Sequence, residues 1–555
     1  MLQGTIANIN NNYVILDDKR FIEQTNIVNT LLPGDTVEYV TTVSNTINIV
    51  KINDRKRQIL LGIIKNIVKE KEKTVELFFP GFPKKFTQTI PLVNGYTVGQ
   101  VIILQIDKNK CDVLHTHSSI QDRSQDKDII LQLYKLNSNL SNIYPKYKYN
   151  SNNNSNNSND NNNNTNKNHK ISESRTFINE NEHQDLCHLD TFNVDPVNSK
   201  DFDDAISVDS VNNKIYVHIV DAHEQIIPST TIDLNALSSS FTLYLPEHIE
   251  NILPKKYAEY KLSLIKNEKR KTITIEFIID PETQQIVTYS LYKSTIIIKN
   301  RYNYEVFNNI IHNYPMLILF YEKWKKHTLN IPHVKMNIHP KTGCITKYWF
   351  ESNNDLAHKV IETFMILTNI TVSKHIPDVI PQRYHCKNKQ DFVVETYFNN
   401  EIIDAIFSIK QYRPAVYDAT KEGHFGLGVK SYTHFTSPIR RYFDVIIHRL
   451  LSGVEYENLE EILQHINQRE TYIEKLVKLY ETLKILSLFE SQLKRIWKGY
   501  VINKTKNGYV VLLEDLLYEI FIFDNKYNVD VKDIVNVKIT GIKWIYLEVK
   551  AVLVV

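Results

Sequence analysis

Short apolar–polar alternations broken by turn residues open the chain. Gly4-Thr5-Ile6-Ala7-Asn8-Ile9 starts a strand, Tyr13-Val14-Ile15-Leu16 follows, and Leu32-Pro33-Gly34-Asp35 turns the chain into Thr36-Val37-Glu38-Tyr39-Val40. The same order returns at Gly62-Ile63-Ile64-Lys65-Asn66-Ile67, with Val98-Gly99 ahead of a strand from Gln100 to Ile106. It returns again at Gly499-Tyr500-Val501-Ile502-Asn503, through Lys506-Asn507-Gly508, with Val531-Lys532-Asp533 ahead of a strand from Ile534 to Ile539. Three unrelated hairpin modules would read similarly. All three copies, however, place a glycine at a strand start and a polar turn about one barrel further on, which predicts three small β-barrels of one kind.

Between the second and third copies the periodicity changes. Ala205 to Asp209 and Lys214 to Asp221 run as strands around an Asn212-Asn213 turn, and Thr272 to Ile279 alternates as another. Val360 to Asn369 and the stretch Ile462 to Ile496 have helical spacing. Ser437 is a good N-cap and Pro438 suits the first helical position. An apolar stripe of Ile439, Tyr442, Phe443, Ile446 and Leu450 follows, so a helix is predicted to start at Ser437 with Arg440 in its first turn. From Asn150 to Asn168, thirteen of nineteen residues are Asn, which cannot bury a core and predicts a disordered insert. Its single Lys and lack of Arg argue against a nucleic-acid-binding arm.

Composition adds bounds. The 555 residues, 42% hydrophobic and 23% charged, suit a multidomain soluble protein. The net charge of +3 means that any phosphate-binding track must be local. No stretch approaches the roughly 20 apolar residues of a spanning helix. The N-terminus lacks a secretory pattern, so no membrane association and a cytoplasmic location are expected. Cys111, Cys187, Cys344 and Cys386 are scattered and read as reduced, buried thiols. His183, Cys187 and His188 could be drawn as zinc ligands, but without a second cluster a structural role weighs more.

The chemistry concentrates in two places. Asp195, Asp201, Asp203 and Asp204 lie within ten residues. If they converge, mutual repulsion raises some of their pKa values, and a hard divalent cation relieves it. A second ion on the other side would make the paired arrangement used for in-line attack on phosphorus. An acidic surface loop is the alternative, but the flanking strands put these acids at the mouth of a buried hairpin. The second place is Arg440. A helix start, its free backbone N–H groups and a guanidinium would converge there as an anion site suited to a phosphodiester. Pairing with Asp444 is the structural alternative, and Arg441 and His448 are weaker candidates. In barrels of the OB type, a basic groove with stacking aromatics binds single strands. Arg55, Lys56, Arg57, Lys65, Lys69, Phe78, Phe79, Lys84 and Lys85 could line it in the second copy. Lys498, Tyr500, Lys504, Lys506 and Tyr509 could do so in the third.

Several of these motifs resemble one family. Asp195-Pro196, Lys200-Asp201-Phe202-Asp203-Asp204-Ala205 and His218-Ile219-Val220-Asp221 look like the first catalytic motif of the ribonuclease II and ribonuclease R family. His424-Phe425-Gly426-Leu427-Gly428 and Tyr432 through Tyr442 look like its terminal motif. Tyr244-Leu245-Pro246 and Pro381-Gln382-Arg383-Tyr384-His385 resemble two segments between them. The helix containing Glu362 resembles the family's Glu-Glu helix but has Thr363 for the second acid.

The resemblance implies a multidomain α+β fold: a central mixed α/β RNB catalytic domain flanked by OB-fold β-barrels. The expected divisions are barrels at 1–54 and 55–116, a linker at 117–180 holding the insert 150–168, the catalytic domain at 181–495 and a C-terminal barrel at 496–555. With no further domain read in the chain, this is the family's minimal architecture. The implied activity is processive 3′→5′ hydrolysis of single-stranded RNA to nucleoside 5′-monophosphates. Asp195, Asp201, Asp203 and Asp204 would hold one or two Mg²⁺ ions, with Mn²⁺ as a substitute. Asp203 would orient the attacking water and Arg440 would stabilise phosphoryl charge. Tyr244 would pack on the terminal nucleotide, a core position being the alternative for that ring. Glu362, Arg440, Arg441, Tyr500 and Tyr509 complete the expected RNA contacts. RNA is the one partner expected, and the protein a monomer. An inactive RNA-binding OB-fold protein is the rival reading.

Overall fold

The computed structural model describes residues 2–9, 13–16, 21–23, 36–41, 47–54, 58–68, 74–78, 80, 87–91, 96–107, 110–138, 144–149, 182–325, 331–351, 355–375, 380–386, 398, 400–410, 412–523 and 527–554. The Asn-rich insert 150–168 lies outside them, as do Arg55, Lys56, Arg57, Lys69, Phe79, Lys84 and Lys85 and the side chain of Phe78.

Alternation in the first unit yields β1 (Leu2–Ile9), β2 (Tyr13–Leu16), β3 (Phe21–Glu23), β4 (Thr36–Thr41) and β5 (Ile47–Asp54), in sheet order β3-β2-β1-β4-β5. The second unit has β6 (Gln58–Val68), β7 (Thr74–Phe78), β8 (Thr87–Pro91), β9 (Gln100–Asp107) and β10 (Lys110–Ser119). Its order, β10-β9-β6-β7-β8, is the same path read from the other edge. Gly99 makes the turn into β9 at φ +84°, a conformation glycine adopts without steric cost.

The stretch 117–180 is not all linker, which corrects the sequence expectation. It contains α1 (Asp126–Ser138), whose Ile129, Ile130, Leu133 and Tyr134 are buried. These positions recur at helical spacing, so packing orders what the composition left open.

The central body follows with β11 (Tyr147–Tyr149), β12 (Gln184–Asp185), β13 (Thr191–Val194), β14 (Asp204–Asp209), β15 (Lys214–Val220), α2 (Thr231–Ser239), β16 (Leu243–Leu245), β17 (His248–Glu250), β18 (Lys269–Ile279) and β19 (Ile286–Tyr302). One sheet runs β12-β19-β13-β14-β15-β18, and the long β19 also pairs with β18, so the sheet closes on itself. Next come α3 (Tyr304–Ile310), α4 (Pro315–Trp324), β20 (His333–Ile338), β21 (Ile345–Glu351), α5 (Leu356–His375), β22 (Gln382–Tyr384), α6 (Glu401–Ile409), β23 (Val416–Asp418), α7 (Tyr442–Leu451), β24 (Val454–Tyr456) and α8 (Leu459–Ser491). Phe307, Phe320, Phe364, Phe443 and Ile446 from these helices pack with Phe192, Ile215, Ile219 and Phe277 of the sheet in one core.

The last unit has β25 (Ile496–Thr505), β26 (Gly508–Leu513), β27 (Tyr518–Ile522), β28 (Ile534–Lys543) and β29 (Glu548–Val554), in order β27-β26-β25-β28-β29. All three small sheets thus share one topology. The helix expected to reach Ile496 stops at Ser491, because Ile496 opens β25 against Lys538. α8 is the spine of the molecule. Its Leu476, Tyr480, Leu483, Leu486 and Phe489 share a core with Ile59, Leu61 and Ile63 of the second barrel and Trp497, Val501 and Val511 of the third. Among the described residues, no helix is long and apolar enough to cross a membrane.

Candidate active site

The end of β13 delivers Asp195, whose N–H donates to Tyr302 O at 3.2 Å. The loop that follows is pinned at Phe202 by Ser263 and Arg301. Phe202 is buried, its N–H donates to Ser263 Oγ at 3.0 Å, and the Arg301 guanidinium lies 4.3 Å from its ring. Asp203 and Asp204 then enter β14, with Val220 N–H donating to Asp203 O at 2.9 Å and Asp204 opposite Ile219. The predicted hairpin turn is present, with Asn213 at φ +54°.

The second motif comes from the far side of the sequence. Asn369 of α5 accepts Phe435 N–H at 2.9 Å, and Thr433 donates to Pro381 O at 2.8 Å. Residues 437–440 form a turn, not the first turn of a helix, and α7 begins at Tyr442. This corrects the predicted start at Ser437. The reason is tertiary. Thr242 N–H takes Arg440 O at 3.0 Å, Tyr442 N–H goes to Ser240 O at 2.8 Å, and Arg441 is extended opposite Phe241. The strand-like segment 240–242 therefore separates the turn from α7. Ser437 Oγ does not cap a helix; it accepts Arg440 Nη2 at 2.7 Å.

The free N–H groups of this turn meet acids of this chain. Ile439 N–H donates to Asp203 Oδ1 at 2.8 Å, and Arg440 Nε lies 3.6 Å from Asp203 Oδ2. Asp444 does not pair with Arg440; it accepts Ser437 N–H at 2.8 Å and Arg441 Nη2 at 2.7 Å. Arg441 is thus held inward, which corrects its expected role as an RNA contact. His448 is buried, with Nε2 at 3.1 Å from Phe435 O, and is structural.

Burial pushes the Asp195 carboxyl well up, and the charges of Asp204, Asp203 and Asp201 push the same way against Arg301. Burial also raises Asp203 well above the carboxylate range, opposed by Arg440 and the Ile439 N–H. Asp204 is pushed up to about 6 by burial, with Arg440 opposing. Acids so placed are costly to ionise together near neutral pH, and an oxygen-preferring divalent cation would remove that cost. The donor set therefore fits such an ion.

A cavity of about 2110 Å³ reaches this site and is lined by Asp201, Tyr244, Tyr304, His358 and Glu481 among others. Tyr244 is 43% exposed and its hydroxyl donates to Asp201 Oδ2 at 3.0 Å, so it is no core aromatic. Glu362 is exposed one turn beyond His358 on α5, hence on the same helix face. Thr363 points into the core and donates back to Lys359 O at 2.8 Å, so no acid could stand there without burying its charge. Tyr500 and Tyr509 are 2% and 4% exposed, Tyr509 in the core of the last barrel and Tyr500 on the opposite face of its sheet against Phe398 and Ile403 of α6, which corrects their expected stacking role. Their hydroxyls go to Glu514 Oε1 and Tyr527 O. Sequence reasoning missed Tyr304, which stacks on His358 with ring centroids 3.6 Å apart, and Glu481, an acid of α8 pushed upward by burial. No local motif marks either; only cavity geometry does.

Among the described residues, His183, Asp221 and Glu224 are the acid and histidine group whose ligand atoms already lie within 4.8 Å of one another. Lysines stand there instead of an ion. Buried Lys293 is 3.3 Å from both Asp221 and Glu224, and Lys271 is 2.6 Å from Glu224. Two ammonium groups offset two carboxylates, so little negative charge remains to attract a metal. Cys187 meets Thr295 O at 3.6 Å and His188 is exposed, so neither joins the group.

Residues 183–455 match the family model described as RNB domain. Ribonuclease R of Aquifex aeolicus is 28% identical over 354 residues, 52% of this chain and 50% of that protein. Ribonuclease R of Chlamydia pneumoniae is 26% identical over 401 residues, 61% of this chain and 58% of that protein. The chain therefore spans about half the length of the curated relatives it matches. In fold it is similar to Mycoplasma genitalium RNase R in complex with ribose methylated single-stranded RNA, with TM-score 0.77, 20% identity and 100% of both chains covered. It is also similar to yeast Ssd1, a pseudonuclease, with TM-score 0.67, 14% identity and 97% and 80% of the two chains covered.

Proposed function

Because residues 183–455 match the RNB domain, we propose that this chain is a processive 3′→5′ exoribonuclease that hydrolyses single-stranded RNA to nucleoside 5′-monophosphates with Mg²⁺. A pseudonuclease shares the fold, so the fold alone does not choose between an enzyme and an inactive RNA binder. The observation that carries the reading is Asp203, buried and held between Ile439 N–H and Arg440 beside three further aspartates. A protein that only bound RNA would gain nothing from acids whose burial opposes their ionisation.

Asp195, Asp201, Asp203 and Asp204 would hold the cation, which supplies positive charge to activate water and to neutralise phosphoryl oxygens. Asp203 accepts a hydrogen bond from the attacking water and orients it. Arg440, partly exposed beside Asp203, donates to the oxygens on which charge develops. Tyr244, tethered to Asp201, presents a ring to the terminal nucleotide.

The test is end-labelled single-stranded RNA with and without Mg²⁺, followed by product sizing. Mononucleotides appearing from the 3′ end only with Mg²⁺ are expected. Internal fragments, full activity in excess chelator, or binding without hydrolysis would defeat the proposal.

Tyr244→Ala should lengthen the residual product while melting unchanged, since a stacked base contributes about 1–3 kcal/mol. A lowered melting temperature with the same end product would return this ring to a structural role.

A linkage prediction follows from the raised carboxyls. Folded-state pKa values above the unfolded ones favour the native state fully below the unfolded carboxylate pKa, and that contribution is lost as pH rises through the folded value, about 6 for Asp204. Cation binding reverses the loss by favouring the ionised form. Mg²⁺ should therefore raise the melting temperature at pH 7.5, and the increment should shrink below about pH 6. A constant increment from pH 5 to 8, read by thermal scans, would contradict it.

A further inference from the structure

Among the described residues the ribbon of β20 and β21 belongs to no larger sheet, and its two faces differ. Val334, Ile345 and Tyr348 pack against the core shared by α8 and the last barrel, and Met336 is buried. On the opposite face the register sets Lys335 across from Trp349 and Asn337 across from Lys347, all four exposed. A ribbon with one packed face ordinarily presents polar residues on the other. Here an indole stands among them, 38% exposed, with Lys347 Nζ 5.7 Å from its ring. Glu351 holds Lys335 at 3.2 Å on the same face.

Position gives the ring a use. Trp349 and Lys335 line the cavity of about 2110 Å³ that reaches Asp201 and Tyr244. Trp349 also borders a second cavity of about 370 Å³ with Arg495 and Asp515, at the start of the last barrel. The ring therefore stands between the barrel side and the acid site.

The ribbon is rigidly mounted. Gly343 in its turn has φ +67°, and a Cβ there would lie 2.0 Å from Arg123 O. Buried Lys484 donates to Gly343 O at 2.7 Å and pairs with Asp126 at 3.0 Å. Further along β21, the Tyr348 hydroxyl accepts Arg495 Nη1 at 2.9 Å.

We propose that Trp349 is a stacking platform for one base of the single-stranded RNA running from the last barrel to the acid site, with Lys335 and Lys347 facing the neighbouring phosphates. This rests on the nuclease reading above. An aromatic face accepts any base, so the platform is indifferent to sequence. Being fixed to the fold, it acts at one nucleotide position counted from the 3′ end.

The test uses the Asp203→Asn protein, so that bound RNA is not degraded, and oligoribonucleotides carrying one abasic nucleotide at successive positions. The parent should lose affinity at one interior position, on the order of ten-fold. In Trp349→Leu, intact RNA should bind about ten-fold more weakly, and the abasic nucleotide at that position should cost nothing further. Trp349→Phe should fall between, which keeps the test readable if the larger change lowers stability. RNA should also quench tryptophan emission in the parent but not in Trp349→Leu, since Trp497 and Trp544 are buried and the Trp324 indole is bonded to Gln284 O. An abasic profile and quench unchanged in Trp349→Leu would overturn the platform alone. A parent that binds no RNA would overturn the nuclease reading and the platform together.

Discussion

Asp203→Asn should lower the single-turnover hydrolysis rate on the order of 10³-fold or more, while the protein melts no earlier than the parent. The rate loss follows from removing a charge that, in the proposed mechanism, serves both the cation and the attacking water, worth several kcal/mol at the transition state. The stability argument runs the other way. Asn keeps an oxygen for the Ile439 N–H that Asp203 Oδ1 accepts at 2.8 Å. It also removes a carboxyl whose ionised form burial disfavours, so at neutral pH the folded state gains or is unchanged. RNA affinity should survive, because in the proposed reading contacts far from Asp203 hold the strand. The measurements are quench-flow turnover, filter binding and a thermal scan on one preparation. If the variant turned over normally, Asp203 would leave the mechanism. If it unfolded, the Arg440 pair would be a structural ion pair and the site reading would be wrong.

Arg440→Ala should cost roughly 10²–10³ in the same rate, the usual loss when one transition-state donor is removed. Arg440→Lys should recover part of it, keeping the charge without the planar fork. Folding should survive both. α7 begins at Tyr442, and Asp444 and Arg441 remain paired at 2.7 Å. Tyr442 and Arg449 still tie the helix to Asp233 of α2, at 2.7 and 2.8 Å. Ground-state affinity should fall far less than turnover. Equal losses in binding and rate would make Arg440 a uniform binding contact instead.

The features legible in the sequence are those written in local patterns. Each small barrel needs alternation with a period of two and a turn residue in place, and both are read within a few residues. That is why a short-strand unit could be expected from Gly4, Pro33 and Gly34, and its two repeats from Gly62 and Gly499, while the strand order came from the structure. The acids were legible because four carboxylates around a hairpin are hard to place without a cation. Tyr244 was identifiable only through its resemblance to a family segment. The choice between a cavity wall and the core needed the structure.

Tertiary contacts decided the rest. The segment 240–242 intercepts the backbone around Arg440 and moves the helix start to Tyr442, and nothing near Ser437 in sequence announces it. Arg440 and Arg441 are adjacent, yet one faces Asp203 and the other Asp444, because the extended backbone at Arg441 sends successive side chains to opposite sides. Tyr509 faces the core of the last barrel, whereas Tyr500, on the other side of the pleat from Val501, is covered by Phe398 and by Ile403 of α6, which no count of aromatics could reveal. α1 is ordered by the second barrel and α8, and Trp349 is presented by a ribbon whose turn is held by Lys484, 141 residues away along the chain. Sequence by itself determined which local units form and which side chains carry charge. Which of those charges and rings share a cavity depended on contacts between distant segments, whose free energy exists only once the chain has folded.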